Sequence, residues 1–206
     1  MQGFIININK VRDEDLIVSI LTADKLKTTY RFYGARHSTI NLGYLIDFET
    51  QISAKSNIVQ LRNVIHLAYS WNLDRDRFYF WQQFVRLFYG HLRDVDNLDN
   101  FYFELLKDCA GKWHKQNPKR VVVEAYTQLL SYEGRLHSLR ECFVCEKMIE
   151  DESIALARAF LPAHTKCVHN KGLEPKILKE LFTSKQTILI DDDDVEYLYR
   201  VVCEGF

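Results

Sequence analysis

Short alternating runs of apolar and polar residues fill the first seventy positions of the chain. These runs are separated by turns and cover residues 4–9, 16–22, 28–33, 44–53 and 58–69. Strict alternation places every second side chain on one face of a strand, and five short strands with turns between them are typical of a small barrel. The pattern therefore predicts an N-terminal β-barrel of the OB-fold type, with an SH3-like barrel as the alternative.

The period of the pattern changes near residue 72. Apolar residues then recur three or four positions apart, which is the spacing of a helix with one buried face. Apolar stripes predict helices over 78–92, 102–113, 122–130, 175–181 and 195–203. The third of these helices is predicted to start at Asn117-Pro118, where Asn can cap the free amides and Pro is tolerated at the first helical position, and to end at Gly134. The chain is thus expected to be an α+β protein, with a barrel domain over residues 1–72 and an α-helical domain over residues 73–206.

Four residues of the helical domain have the spacing of metal ligands. They are Cys142, Cys145, His164 and Cys167, in a zinc-finger-like insert that spans residues 142–169. Two thiolates in a tight turn can hold one ion, and a distant pair can complete the tetrahedron that zinc prefers. Four protein ligands leave no open position, so a Zn²⁺ ion here would be structural and would contribute to folding. His169 is the alternative fourth ligand, and unligated thiols are the alternative to a metal site.

Composition and charge exclude few classes of protein. The 206 residues contain 27 Lys and Arg against 28 Asp and Glu, so the bulk charge indicates neither a nucleic-acid nor a membrane partner. No apolar run reaches the length of a bilayer span, and the N-terminus does not resemble a signal peptide. We therefore expect a cytoplasmic protein with no membrane partner, where reducing conditions favour a metal over disulfides.

Familiar catalytic motifs are absent from the sequence. There is no glycine-rich phosphate loop, no GxSxG and no HExxH, and the zinc-deaminase signature is missing. We therefore expect a protein that is not an enzyme. The minor alternative is a zinc hydrolase that uses Cys142, Cys145 and Cys167 together with a bound water.

Two basic regions are candidates for nucleic-acid binding. In the barrel, cations are interleaved with aromatic residues, which is the mixture that single-stranded nucleic acid needs. These candidates are Lys10, Arg12, Arg31, Arg36 and His37. In the helical domain, a turn rich in cations would serve as a phosphate track or as a landing site for an acidic peptide. Its candidates are Lys112, Lys115, Lys119 and Arg120. Core aromatics and solvated charges are the alternative interpretation of both regions.

Several segments, taken in order, carry a resemblance to a known family. They are Gly-Phe-Ile-Ile-Asn at 3–7, the strand pair around 14–22, Tyr-Gly-Ala-Arg-His-Ser at 33–38 with the strand at 41–49, and the CxxC insert in a helical second domain. Together they resemble the bacterial DNA repair and recombination mediator family RecO, in its ε-proteobacterial form. Arg36 matches the first Arg of the family's Lys-Gly-Ala-Arg-Arg segment, while His37 replaces the second.

The resemblance implies an OB-fold, a helical domain that bears zinc, and no catalytic residues. It implies a role in the DNA damage response, through binding of single- and double-stranded DNA and annealing of complementary strands. The implied partners are RecR, the acidic C-terminal tail of single-stranded DNA-binding protein (SSB) and, indirectly, RecA, at the nucleoid. His37 implies weaker or more pH-dependent DNA binding by the barrel. The alternative is a zinc-stapled adaptor that binds only proteins.

Overall fold

The computed structural model describes residues 1–12, 14–53, 56–95 and 97–206. Within these ranges the chain divides into two units, Met1–His114 and Lys115–Phe206. None of the helices in the described ranges combines the length and the apolar character that a membrane crossing needs.

Five strands at the start of the first unit close into a barrel. They are β1 (Gln2–Val11), β2 (Asp15–Leu21), β3 (Leu26–Arg31), β4 (Leu45–Ser53) and β5 (Ser56–His66). Their order around the barrel is β1-β2-β3-β5-β4, with β3 and β5 parallel and the other neighbours antiparallel. Alternate residues of β2, namely Leu16, Val18 and Ile20, are buried in the barrel core. The predicted OB-like barrel is therefore confirmed, and its strands lie within a few residues of the predicted runs.

Two helices, α1 (Arg75–Leu92) and α2 (Phe101–Lys112), belong to the same unit as the barrel. Three buried indoles, Trp71, Trp81 and Trp113, lie between these elements with ring centroids 4.9–6.1 Å apart. Each indole N–H donates to a backbone carbonyl, so the cluster contains no unsatisfied indole donor. The predicted domain boundary at residue 72, which follows the barrel, stays a prediction.

Gly43 marks a close approach between the barrel and α1. Its φ is +86°, and a Cβ atom at this position would lie 2.7 Å from Cδ1 of Trp81. Its carbonyl oxygen accepts the Trp81 indole N–H at 2.7 Å. Because both the backbone conformation and the contact exclude a side chain, glycine is required here.

The second unit combines helices with a small sheet. Its elements are α3 (Pro118–Tyr132), β6 (Ile154–Ala157), β7 (Leu161–Ala163), α4 (Thr165–Val168), β8 (Gly172–Leu173), α5 (Pro175–Ser184) and α6 (Asp192–Cys203). The sheet order is β7-β6-β8. The Tyr197 hydroxyl of α6 accepts the Leu156 N–H at 2.9 Å and donates to the Leu156 carbonyl at 2.7 Å, which ties α6 to the sheet.

Helices appear where the apolar spacing predicted them, and the α+β class is confirmed. The start of α3 follows the local signals closely, since the Asn117 side chain accepts the Lys119 N–H at 2.9 Å and Pro118 opens the helix. The three-stranded sheet was not predicted. Its strands have two to four residues, which is too short for a period to be visible.

Candidate metal centre and nucleic-acid interface

Cys142, Cys145, His164 and Cys167 come together in the second unit. Their ligand atoms all lie within 4.8 Å of one another. Nδ1 of His164 lies 3.4 Å from Sγ of Cys145 and 3.8 Å from Sγ of Cys167. Sulfur and nitrogen ligands of a tetrahedral zinc ion, at ~2.3 and ~2.1 Å from the metal, would be about 3.6 Å apart. The four residues therefore have the spacing that one small ion requires.

Two local turns position these side chains. In the first, the Cys142 N–H donates to the Lys147 carbonyl at 2.9 Å, and the Glu146 N–H donates back to the Cys142 carbonyl at 2.8 Å. In the second, His164 precedes the single turn of α4, and the Cys167 N–H donates to the His164 carbonyl at 2.9 Å. Each turn thus delivers two ligands to the same place.

The tautomer of His164 is set by the hydrogen bond that its second ring nitrogen, Nε2, makes. Nε2 lies 3.1 Å from the carbonyl oxygen of Met148. A carbonyl can only accept, so Nε2 carries the proton and the lone pair of Nδ1 faces the thiols. This is the orientation of a metal-ligating imidazole. His169 is not a member of the cluster found over the described residues, so the structure selects His164 from the two predicted candidates.

The thiols of the cluster have unequal acidities. Burial raises the pKa of Cys142, but backbone N–H groups of His164, Cys145 and Val144 stabilise its thiolate more strongly and lower the pKa to about 6. Burial raises the pKa of Cys167, and hydrogen bonds with the other two thiols raise it further, to about 11. One thiolate therefore makes the next harder to form, and a bound cation would remove this conflict.

A second candidate site lies at one end of the barrel, around Asp15 at the start of β2. Its carboxylate accepts the Tyr30 hydroxyl at 2.5 Å and the Tyr33 backbone N–H at 2.7 Å. The hydrogen bond from Tyr30, followed by that from Tyr33, lowers the pKa of Asp15. The carboxylate therefore ties the residues after β3 to the turn between β1 and β2.

Predicted cations gather at this end of the barrel. Arg36 forms an ion pair with Glu14, and its guanidinium lies 5.2 Å from the ring centroid of Tyr33. Arg12 is exposed in the turn between β1 and β2, and Lys10 is exposed at the end of β1. His37, also exposed, follows Arg36 directly. Lys10, Arg12, Arg36 and His37 will be called the barrel-end cluster.

Arg31 has a different environment from the barrel-end cluster. Its Nη1 donates to the Leu61 carbonyl at 2.9 Å, which links β3 to the parallel strand β5. Its Nε is buried and has no hydrogen-bond partner among the described residues. Burial lowers the pKa of Arg31, and the nearby charge of Arg62 lowers it further. The position of Arg31 therefore supports a structural role in the barrel wall.

The cations predicted for the helical domain are divided between the two units. Lys112, in α2 of the first unit, pairs with Asp108 one turn earlier at 2.5 Å. Lys119, in α3 of the second unit, pairs with Glu196 of α6. Lys115 is exposed in the turn before α3. Two of these ammonium groups are thus already engaged by carboxylates of their own unit.

Arg120 holds the segment that leads into α6. Its Nη1 donates to the Thr187 carbonyl at 2.7 Å, and its Nη2 donates to the Ile190 carbonyl at 2.8 Å and to the Asp192 carboxylate at 2.7 Å. Through these bonds, the Arg120 guanidinium holds the segment between α5 and α6 against α3. A phosphate would have to compete with them.

Sequence reasoning missed a groove of about 580 Å³ in the second unit. The groove lies between the residues that precede and follow the CxxC turn and those of α5. Its lining includes apolar side chains and two exposed cations: Leu136, Leu139, Ile149, Phe182, Arg140 and Lys179. No carboxylate occurs among the described residues that line it. The lining comes from segments about 40 residues apart, so no local pattern could have indicated it.

A known family model matches the part of the chain that forms the barrel. Residues 1–72 match the family model described as RecO N terminal. No curated protein matches the chain. The matched range contains the barrel-end cluster, whereas the metal cluster and the groove lie outside it.

Proposed function

We propose, from the premise that this chain is a RecO-family protein, that it is a recombination mediator in DNA repair. In this proposal it binds single- and double-stranded DNA at the nucleoid, anneals complementary strands and has no catalytic step. The observation that carries the proposal is the barrel-end cluster: Lys10, Arg12 and Arg36 are exposed at one end of the barrel, and the Arg36 guanidinium lies over the exposed ring of Tyr33.

The physical basis is the neutralisation of phosphates. Two complementary strands repel each other, and cations that contact both strands lower this repulsion while they release condensed counterions. Each phosphate contact contributes about −0.7 to the slope of log K against log salt on a single strand, and about −0.9 on a duplex. Three cations at the barrel end would therefore give a slope of roughly −2 on a single strand.

Arg36 is the best position for a test, because a matched control exists in the same unit. The Arg36 side chain is 65% exposed and pairs with Glu14, whereas that of Arg93 is 60% exposed and pairs with Asp94. Arg36→Gln is expected to weaken oligonucleotide binding several-fold and to reduce the salt slope by about 0.7–0.9. Arg93→Gln removes the same charge and should leave both unchanged.

The decisive assay is the annealing of two complementary oligonucleotides across a salt series. Acceleration that fades with added salt, and that Arg36→Gln diminishes, would support the mediator. If the protein neither accelerates annealing nor binds DNA at low salt, the function is that of the protein-only adaptor.

For the metal cluster, we propose a structural Zn²⁺. Three thiolates and one imidazole are a soft donor set that suits this ion, and four protein ligands leave no open position for a water. The closed set supports a structural ion over the hydrolase alternative. Metal analysis should find one zinc per chain, and Cys142→Ser should lose it.

RecR, RecA and the acidic tail of SSB are proposed as partners from the family alone. For the acidic tail, the groove is a better-supported place than the turn around Lys119 and Arg120. Among the described residues, Arg140 and Lys179 of the groove form no ion pair, whereas Lys119 and Arg120 do. Titration with an acidic peptide tests this: an Arg140→Gln, Lys179→Gln double variant should weaken binding, and Lys119→Gln should not.

A further inference from the structure

Tyr33 occupies a backbone conformation that disfavours its own side chain. Its φ is 52° and its ψ is 27°, in the left-handed region. Glycine and asparagine are accommodated there readily, whereas a bulky aromatic residue is an outlier. A strained residue of this kind persists when the surroundings hold it in place, and such residues concentrate at functional sites.

The surrounding backbone is what holds this position. The Tyr33 N–H donates to the Asp15 carboxylate at 2.7 Å, and the Arg36 N–H donates to the Tyr33 carbonyl at 3.1 Å. Two residues after Tyr33, the Ala35 N–H donates to the Glu14 carbonyl at 2.9 Å. All of these bonds involve main-chain atoms of Tyr33 and its neighbours, so any residue that tolerates the conformation would form them.

The Tyr33 side chain, by contrast, contributes little to the packing of the barrel. It is 59% exposed, and among the described residues its ring is in contact with the Arg36 guanidinium. The next ring along the chain, Phe32, is 46% exposed and touches Tyr30 edge-on, with ring centroids 4.9 Å apart. The Tyr33 ring is thus held in solvent, where it adds little to the packing of the barrel, and the half-exposed Phe32 ring is its neighbour in the chain.

The surroundings of these rings indicate what they bind. The Arg36 guanidinium lies over the Tyr33 ring, and the charge of Arg12 acts on Asp15, the carboxylate that accepts the Tyr33 N–H. Cations suit phosphates, and flat exposed rings suit bases whose faces are not covered by stacking within a duplex. An unpaired base offers such a face, while a paired base inside a duplex does not.

We propose that Tyr33, with Phe32 beside it, stacks against an unpaired base, so that the barrel end distinguishes single-stranded from double-stranded nucleic acid. This inference rests on the proposed function and adds strand specificity to it. The cations supply affinity for either form, and the ring supplies the preference for the single strand.

The test compares Tyr33→Gly with Tyr33→Phe. Tyr33→Gly relieves the backbone strain, so its melting temperature should be unchanged or higher, while its affinity for a single-stranded oligonucleotide falls roughly tenfold. Duplex affinity should change less than about twofold, because phosphate contacts dominate there. Tyr33→Phe keeps the ring and should retain both affinities. Tyr79→Ala is the control, because Tyr79 on α1 is also 59% exposed.

A fluorescent adenine analogue in the oligonucleotide reports stacking directly. Its emission should be quenched by the unaltered protein and by Tyr33→Phe, but not by Tyr33→Gly. If Tyr33→Gly keeps full single-strand affinity and quenching, the stacking role is wrong while DNA binding stands. If the unaltered protein binds neither form of DNA, the proposed function fails and the stacking role fails with it.

Discussion

Removal of the proposed Zn²⁺ is expected to destabilise the second unit strongly. The ligands come from two turns about 20 residues apart, so they form a site in the folded chain and not in the unfolded one. A ligand that binds the folded state alone, at a thousandfold excess over its Kd, stabilises it by about 4 kcal/mol. For a unit of roughly 90 residues, this corresponds to a melting temperature higher by on the order of 15–30 °C.

The pH dependence of metal binding follows from the thiol acidities. Cys167 has a pKa of about 11, so it holds a proton at neutral pH that it must release to the solvent when it ligates a metal. Cys142 has a pKa of about 6 and is already a thiolate above neutral pH. Raising the pH from 7 to 9 should therefore increase the apparent metal affinity by about tenfold per pH unit, because one proton is released for each ion bound.

Thermal unfolding followed by circular dichroism, combined with thiol counting, checks the prediction. Of the five cysteines, Cys203 is exposed and Cys109 is buried in the first unit. The zinc-loaded protein should therefore react quickly at one thiol, and the chelated protein at the three ligand thiols as well. Cys203→Ser should melt like the unaltered protein. A melting temperature and a thiol count that chelation leaves unchanged would refute the reasoning.

Three further predictions concern packing. Gly43→Ala should destabilise the first unit by about 2–4 kcal/mol in thermal melts, since its Cβ would lie 2.7 Å from a buried indole. The control Gly90→Ala, whose Cβ meets nothing within 4 Å, should stabilise α1 by about 1 kcal/mol. Tyr197→Phe should lose about 1–3 kcal/mol in urea unfolding, because the N–H and carbonyl of Leu156 lose their partner. Arg120→Gln should lower the melting temperature of the second unit, because the bonds of Arg120 to Thr187, Ile190 and Asp192 are lost, and it should leave the affinity for DNA unchanged. A lower affinity for DNA at an unchanged melting temperature would instead show that Arg120 contacts DNA.

The barrel and the helices were predictable because their signals are local. Alternation over six residues shows which face of a strand is buried, and a stripe at positions three and four apart shows the same for a helix. The start of α3 is a local signal as well, because the Asn117 side chain accepts the Lys119 N–H and Pro118 occupies the first helical position. The small sheet around β6 was not predicted, because strands of two to four residues are too short for an alternation to be recognised.

The metal cluster was predictable in part from local spacing and in part only from the tertiary structure. CxxC spacing identifies the first ligand pair without any structure, because the pair forms within one turn. The choice between His164 and His169 depended on tertiary structure. His164 is oriented by the carbonyl of Met148, a residue 16 positions away in the chain, and that contact fixes which ring nitrogen faces the thiols.

By itself, the sequence determined the fold class, the two turns of the metal cluster and the cations that now lie at the barrel end. Only the tertiary structure decided which cations have partners: Lys119 meets Glu196 across 77 residues, and Arg120 meets Asp192 across 72. The physical reason is that hydrophobic periodicity is a property of neighbouring residues, while an ion pair depends on which distant segments pack together. The sequence gives the position of each charged residue in the chain, and only the folded structure gives its partner.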